Sequence, residues 1–112
     1  MEKIELLQSW TEARDHCINL GGKLFEPRTS WHVNQALEIL QEFGNAQFWL
    51  GGTDALVDGE WRWFSDGALI EENVVTEGIS ANRNCLSLIS HARFYDSWCT
   101  NALKSVCEIL AQ

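Results

Sequence analysis

The chain has 112 residues, enough for one domain of ordinary size with a hydrophobic core of its own. With 46% hydrophobic and 21% charged residues it has the composition of a folded globular protein, and no biased tract marks a disordered tail. Sixteen acidic against eight basic residues leave a net charge of -8, which repels nucleic-acid phosphates and sulfated polymers, and no apolar run reaches the roughly 20 residues that cross a bilayer.

In chain order, Ser9-Trp10-Thr11-Glu12 has the form of a capping box, after which Trp10, Ala13, Cys17 and Leu20 recur at helical spacing until Gly21-Gly22 ends the run. A second helix is expected from about Ser30, with Val33, Ala36, Leu37 and Leu40 on one face and Gly44 as its C-terminal cap; Pro27 lies in the connector. The period then changes to two. Phe48-Trp49-Leu50 reads as a strand, Asp58-Gly59 as a turn, and Glu60 to Phe64 as a strand carrying Trp61 and Trp63. Residues 65–84 keep no sustained period, and Asp66-Gly67, Gly78 and Asn82 predict a long irregular loop, a common place for function. Three more short strands are expected at Cys85 to Ile89, Arg93 to Asp96 and Ser105 to Ile109. The predicted class is α+β: two short helices and small antiparallel sheets. Trp10, Trp49, Trp61 and Trp63 are expected to fill the core or frame the base of the loop.

The four cysteines, Cys17, Cys85, Cys99 and Cys107, contain no Cys-x-x-Cys pair, so disulfides and an oxidising, extracellular setting are favoured over zinc. Four cysteines allow three pairings. The start lacks the basic-then-apolar pattern of an export signal, so a secreted form is expected to be a processed one. Enzyme motifs are missing: there is no Gly-x-Ser-x-Gly, no phosphate-binding glycine loop and no His-Glu-x-x-His, and His16, His32 and His91 are scattered. No catalytic residue is expected.

From about Trp10 to Glu108 the order and spacing of these features resembles the C-type lectin-like domain. The residues that carry the resemblance are Trp10-x-x-Ala13-x-x-x-Cys17, Leu20-Gly21-Gly22-x-Leu24, Trp49-Leu50-Gly51-Gly52, Asp58-Gly59-Glu60-Trp61-Arg62-Trp63 with Ser65-Asp66-Gly67, Asp96-x-x-Cys99 and Val106-Cys107-Glu108. It implies a single domain over residues 1–112, bridges Cys17–Cys107 and Cys85–Cys99, no spare thiol, and a domain cut from a longer protein with part of the family's first strand lost.

Sugar-binding members of that family hold calcium through a Glu-Pro-Asn or Gln-Pro-Asp triplet, a further acid and an Asn-Asp pair, because calcium takes six to eight hard oxygen ligands. Here Ile79-Ser80-Ala81 stands at the triplet, Arg83 and Asn84 where the acid would be, and Phe94-Tyr95-Asp96 on the Trp-Asn-Asp motif. Only Asp96 keeps a carboxylate. The resemblance therefore implies a dismantled primary calcium site and no cofactor, with Asp96 and Glu77 as the weak metal candidates. Glu71, Glu72, Asn73 and Glu77 form a second oxygen-rich cluster, which reads as solvated surface.

Ligand contacts are expected from Tyr95, Asp96, Asn82, Asn84, Arg93 and Glu77, around a stretch from His91 to Trp98 that mixes aromatic, cationic and acidic groups. Strand alternation puts Phe94 and Asp96 on one face and Tyr95 on the other. The expected function is extracellular ligand recognition, with carbohydrate as the leading ligand and a protein partner or a structural adhesion role as alternatives. Nucleic acid and membrane insertion are not expected, and homo-oligomers stay open.

Overall fold

The computed structural model describes residues 1–55, 59–71, 74–75, 83–90 and 93–109, with Val75 described by its backbone alone. The expected Asp58, Glu72, Asn73, Glu77, Gly78, Asn82, His91 and the triplet position 79–81 lie outside the described residues.

Strand β1 (Glu2–Gln8) leads into helix α1 (Trp10–Asn19), whose start is the anticipated capping box. The Ser9 hydroxyl accepts the Glu12 N–H at 3.2 Å, and the Glu12 carboxylate accepts the Ser9 N–H at 3.0 Å. Trp10, Ala13 and Cys17 form the buried stripe of α1, while Leu20 lies exposed at its C-cap. Gly21 then takes a φ of 85° to release strand β2 (Gly22–Leu24). Helix α2 (Ser30–Glu42) is capped by Thr29, which accepts the His32 N–H at 3.2 Å, and it buries Ala36, Ile39 and Leu40.

The remaining strands are β3 (Phe48–Thr53), β4 (Arg62–Trp63), β5 (Val74–Val75), β6 (Cys85–Ile89), β7 (Arg93–Ser97) and β8 (Leu103–Ile109). They order as β1-β8-β3-β6-β7-β5, with β2 added on β8 and β4 on β3. The sheet is mixed, which corrects the antiparallel expectation: β3 runs parallel to β8, pairing Phe48 with Lys104 and Trp49 with Ser105, and β5 runs parallel to β7. Alternating hydrophobicity marks a strand but carries no information on its direction.

Strand β1 pairs antiparallel with β8 from Glu2 opposite Cys107 to Gln8 opposite Leu103. Of the stretch 65–84, residues 65–71, 74–75 and 83–84 are described. Residues 61–70 fold back on themselves, the Ile70 N–H reaching the Trp61 carbonyl at 2.9 Å, and β5 lies within the same stretch.

Two groups of buried side chains hold the layers together. One packs α2 on the sheet through Phe25, Leu40, Phe48, Leu50, Leu88 and Val106. The other gathers Ile4, Trp10, Leu24 and Trp49 around the Cys17–Cys107 bridge, which ties α1 to β8. The second bridge, Cys85–Cys99, joins the start of β6 to the segment after β7, and no cysteine is free. Trp10, Trp49 and Trp63 are buried and Trp61 half-buried, as expected; the indole N–H groups of Trp10 and Trp49 bond the carbonyls of Leu50 and Gln8 at 2.9 and 2.8 Å.

Candidate functional site

Of the residues singled out from sequence, Arg93, Tyr95 and Asp96 lie on β7, and Asn84 immediately precedes its neighbour β6. The antiparallel register of β6 and β7 sets Leu86 opposite Asp96, Ser87 opposite Tyr95 and Ile89 opposite Arg93. Phe94 and Asp96 point inward, each 3% exposed, while Arg93 is exposed and Tyr95 half-buried on the other side. The alternation read from sequence therefore holds. Phe94 meets Trp63 edge to face at 6.0 Å, and Trp98, just beyond β7, keeps 39% of its surface exposed.

Rather than facing open solvent, the Asp96 side chain is enclosed, with the residue 3% exposed. It is matched by Arg83. The guanidinium Nη2 of Arg83 donates to the Asp96 carbonyl at 2.8 Å, lies 3.4 Å from Asp96 Oδ1, and the group sits 5.4 Å from the centre of the Tyr95 ring. Asn84 serves the backbone: its carbonyl accepts the Thr53 hydroxyl at 2.6 Å and the Asp54 N–H at 3.2 Å. Glu71 is exposed, and Asn82 and Glu77 lie outside the described residues. Among the described residues no three His, Cys, Asp or Glu side chains converge in a way that could hold a metal ion. Among the described residues, a guanidinium and an amide follow one another beside Asp96 where a further carboxylate would favour calcium, so these groups alone fit a hard cation poorly.

Beneath this face lies a polar group that the sequence reading missed. Gln47 Nε2 donates to Ser87 Oγ at 2.7 Å and to Ser97 Oγ at 3.0 Å, the two hydroxyls are 3.0 Å apart, and Ser87 also donates to the Tyr95 carbonyl at 3.2 Å. Ser87 and Ser97 are fully enclosed. Buried hydroxyls survive because each finds a partner, and this group fixes the backbone that carries Tyr95. The available signal was the serine set among apolar residues in Cys85-Leu86-Ser87-Leu88.

A second unforeseen centre is Glu26, 3% exposed in the connector before Pro27. Its carboxylate accepts from Arg28 at 2.5 Å, Ser65 Oγ at 2.8 Å, Lys23 at 3.2 Å and the Ser65 N–H at 3.2 Å, so its buried charge is fully matched. Arg28 reaches on to both oxygens of Asp66, each at 2.9 Å. That bond, helped by the Ala68 N–H, holds the Asp66 carboxyl down from 3.8 to about 2, and the same contact holds the Arg28 guanidinium above its ordinary range. Nearby, a cleft of about 260 Å³ is walled by Trp10, Ile18, Leu24 and Phe64, with Arg14 lying over the Trp10 and Phe64 rings at 5.5 and 5.1 Å. It shares no residue with the Tyr95 face.

The β7 surface is thus carried on a disulfide-stapled α+β scaffold. The lectin C-type domain family matches residues 7–109, and the chain belongs to that family. Among its relatives, human tetranectin (Homo sapiens) is 29% identical over 110 residues, covering 90% of this chain and 54% of tetranectin. The chain spans about half the length of such curated relatives. Two solved structures share the fold: a Ca2+-dependent type II antifreeze protein in its Ca2+-free form (TM-score 0.80, 18% identical, 94% of this chain and 86% of that one) and a calcium-independent type II antifreeze protein (TM-score 0.76, 20% identical, 94% and 81%). As a member of this family the protein is a ligand-recognition module. No helix among the described residues is long and apolar enough to cross a membrane.

Proposed function

We propose that the chain is a single extracellular, non-enzymatic recognition domain that binds carbohydrate through the β7 face without the usual calcium site. The observation that supports this is Tyr95: its half-buried ring lies against Arg83, shares the outer side of β7 with the exposed Arg93, and is held from below by the buried serines. A sugar uses such a surface in two ways, packing its C–H face on an aromatic ring and accepting hydrogen bonds from guanidinium groups. Asn84, one residue before β6, borders the site, and Asn82 and Glu77, outside the described residues, are assigned to it from their sequence positions alone. Asp96 contributes from behind, as the partner of Arg83.

A protein ligand is the second reading, supported by Trp98. An aromatic side chain with 39% of its surface exposed beside the loop is the kind of anchor around which protein interfaces form, and the net charge of -8 suits a basic partner.

A glycan array probed in EDTA separates the two. The sugar reading expects metal-free signals that neutral oligosaccharides compete and that Tyr95→Ala reduces by at least tenfold while the thermal unfolding midpoint stays within a few degrees. An array with no signal, together with binding to a basic protein that salt alone abolishes, would shift the assignment to a protein ligand.

A further inference from the structure

Two residues before β6, Arg83 places a positive charge against Asp96. Its side chain is 14% exposed and the Asp96 side chain 4%, so both members of the pair are withdrawn from water. One nitrogen, Nη2, faces the backbone carbonyl of Asp96 at 2.8 Å and the carboxylate of the same residue at 3.4 Å, and the Tyr95 ring covers the guanidinium from 5.4 Å. Two oxygens of one residue converging on a single positive centre is the arrangement by which a hard cation is held. A buried carboxylate needs such a counter-charge, and a covalently attached one cannot be diluted or chelated away.

We propose that Arg83 is a built-in cation that takes the place of a metal ion at Asp96, fixing the loop stem and the Tyr95 ring without calcium. A second cation brought to Asp96 would meet the guanidinium within a few ångströms and be repelled, so the same pair that replaces the ion also excludes it. A lysine carrying the same charge would do this less well, because its compact ammonium lacks the planar guanidinium that lies over the Tyr95 ring. Arg83 is therefore a positioning residue for the recognition face: it touches Tyr95 and Asp96, and acts on ligand through them. The proposal names the regulation of the face argued above and rests on that reading only for its effect on binding.

The test follows stability and metal response with no ligand present, so a failed glycan screen and a failed Arg83 assignment remain distinguishable. Thermal unfolding of the intact chain is measured in EDTA and in millimolar calcium, with terbium luminescence as a direct probe of the metal alone. The expected result is one midpoint in both media and no terbium signal that depends on Asp96. Arg83→Met, which keeps the apolar stem and removes the charge, should lower the midpoint by roughly 10 °C, as breaking a buried pair does in a domain of this size. Adding Asp96→Asn to that variant should recover part of the loss, because the carboxylate that faced Arg83 is removed together with it. Arg83→Lys should fall between. Strictly additive losses in the double variant, or a calcium-dependent rise in the unsubstituted chain that Asp96→Asn abolishes, would overturn the proposal. Should Arg83→Met fail to fold, the metal response of the unsubstituted chain against Asp96→Asn still decides the matter.

Discussion

Single residues set the charges of this protein more than its overall acidity does. Glu26 is buried with four donors around its carboxylate, and Arg28 passes that charge on to the exposed Asp66. Because the folded Asp66 titrates near 2 rather than 3.8, its ionised form favours the folded state. That contribution is complete above pH 3.8 and is lost as the pH falls toward about 2. The unsubstituted chain should therefore be more stable than Asp66→Asn at neutral pH, and the gap should close as thermal unfolding is repeated from pH 4 down to pH 2. Asp66 is exposed, so solvent screening keeps the gap small. A gap that stayed constant across this range would place the stabilisation elsewhere. Some of this scale was legible in the sequence. Alternation alone put Asp96 on the face of Phe94, which is where the structure buries it. Arg83 was legible only as a missing ligand, because sequence position does not reveal that a long side chain reaches across to a neighbouring strand.

At the scale of elements, helices were easier to read than strands. Helix α1 announces itself twice, through the Ser9–Glu12 capping box and through the Trp10, Ala13, Cys17 stripe. Strand β1 gives no such signal: of its seven residues only Ile4 is buried, and Leu6 and Leu7 are exposed where β1 departs from regular register with β8. Strand β5 has two residues, too few for any period to show. The sequence pair Gly21-Gly22 reads as a helix stop, but the two glycines do different work. Gly21 supplies a positive φ in open space. Gly22 permits contact, since a Cβ there would stand 1.9 Å from the Glu108 carbonyl oxygen and force β2 off β8. Gly22→Ala should therefore cost about 3 kcal/mol, near the upper end of overpacking losses, whereas Gly21→Ala should cost about 1 kcal/mol of backbone strain. Urea unfolding of the two variants checks this, and equal losses would contradict the close approach. Displacing Glu108 has a further consequence, because its carboxylate accepts the Glu26 N–H at 2.7 Å and so the shift would reach the Glu26 centre.

For the whole molecule, the two bridges set the stability of the core apart from that of the β6–β7 face proposed for recognition. Cys17–Cys107 spans 90 residues and Cys85–Cys99 spans 14, so loop-closure entropy assigns them about 4 to 5 and about 3 kcal/mol respectively. Both bridges pack into the same buried group of side chains, but they tie different elements together. Cys17 and Cys107 lie fully enclosed between α1 and β8, among the side chains that hold the two together. Cys85 instead begins β6, opposite Ser97 and two residues from Arg83, and its bridge closes the segment that carries Tyr95 and Asp96. Replacing Cys17 and Cys107 by Ala should thus lower the unfolding free energy by roughly 1 to 2 kcal/mol more than replacing Cys85 and Cys99, while sparing the recognition face at temperatures where the domain stays folded. The Cys85/Cys99 variant should show the reverse balance, with a milder loss of stability but weakened ligand affinity, as register between β6 and β7 loosens around the Ser87–Ser97 contact. Hydrogen exchange resolves the two outcomes directly: protection should fall across the whole sheet in the first variant and selectively along β6 and β7 in the second. Equal, global loss of protection in both would mean that the recognition face has no stability separate from that of the core.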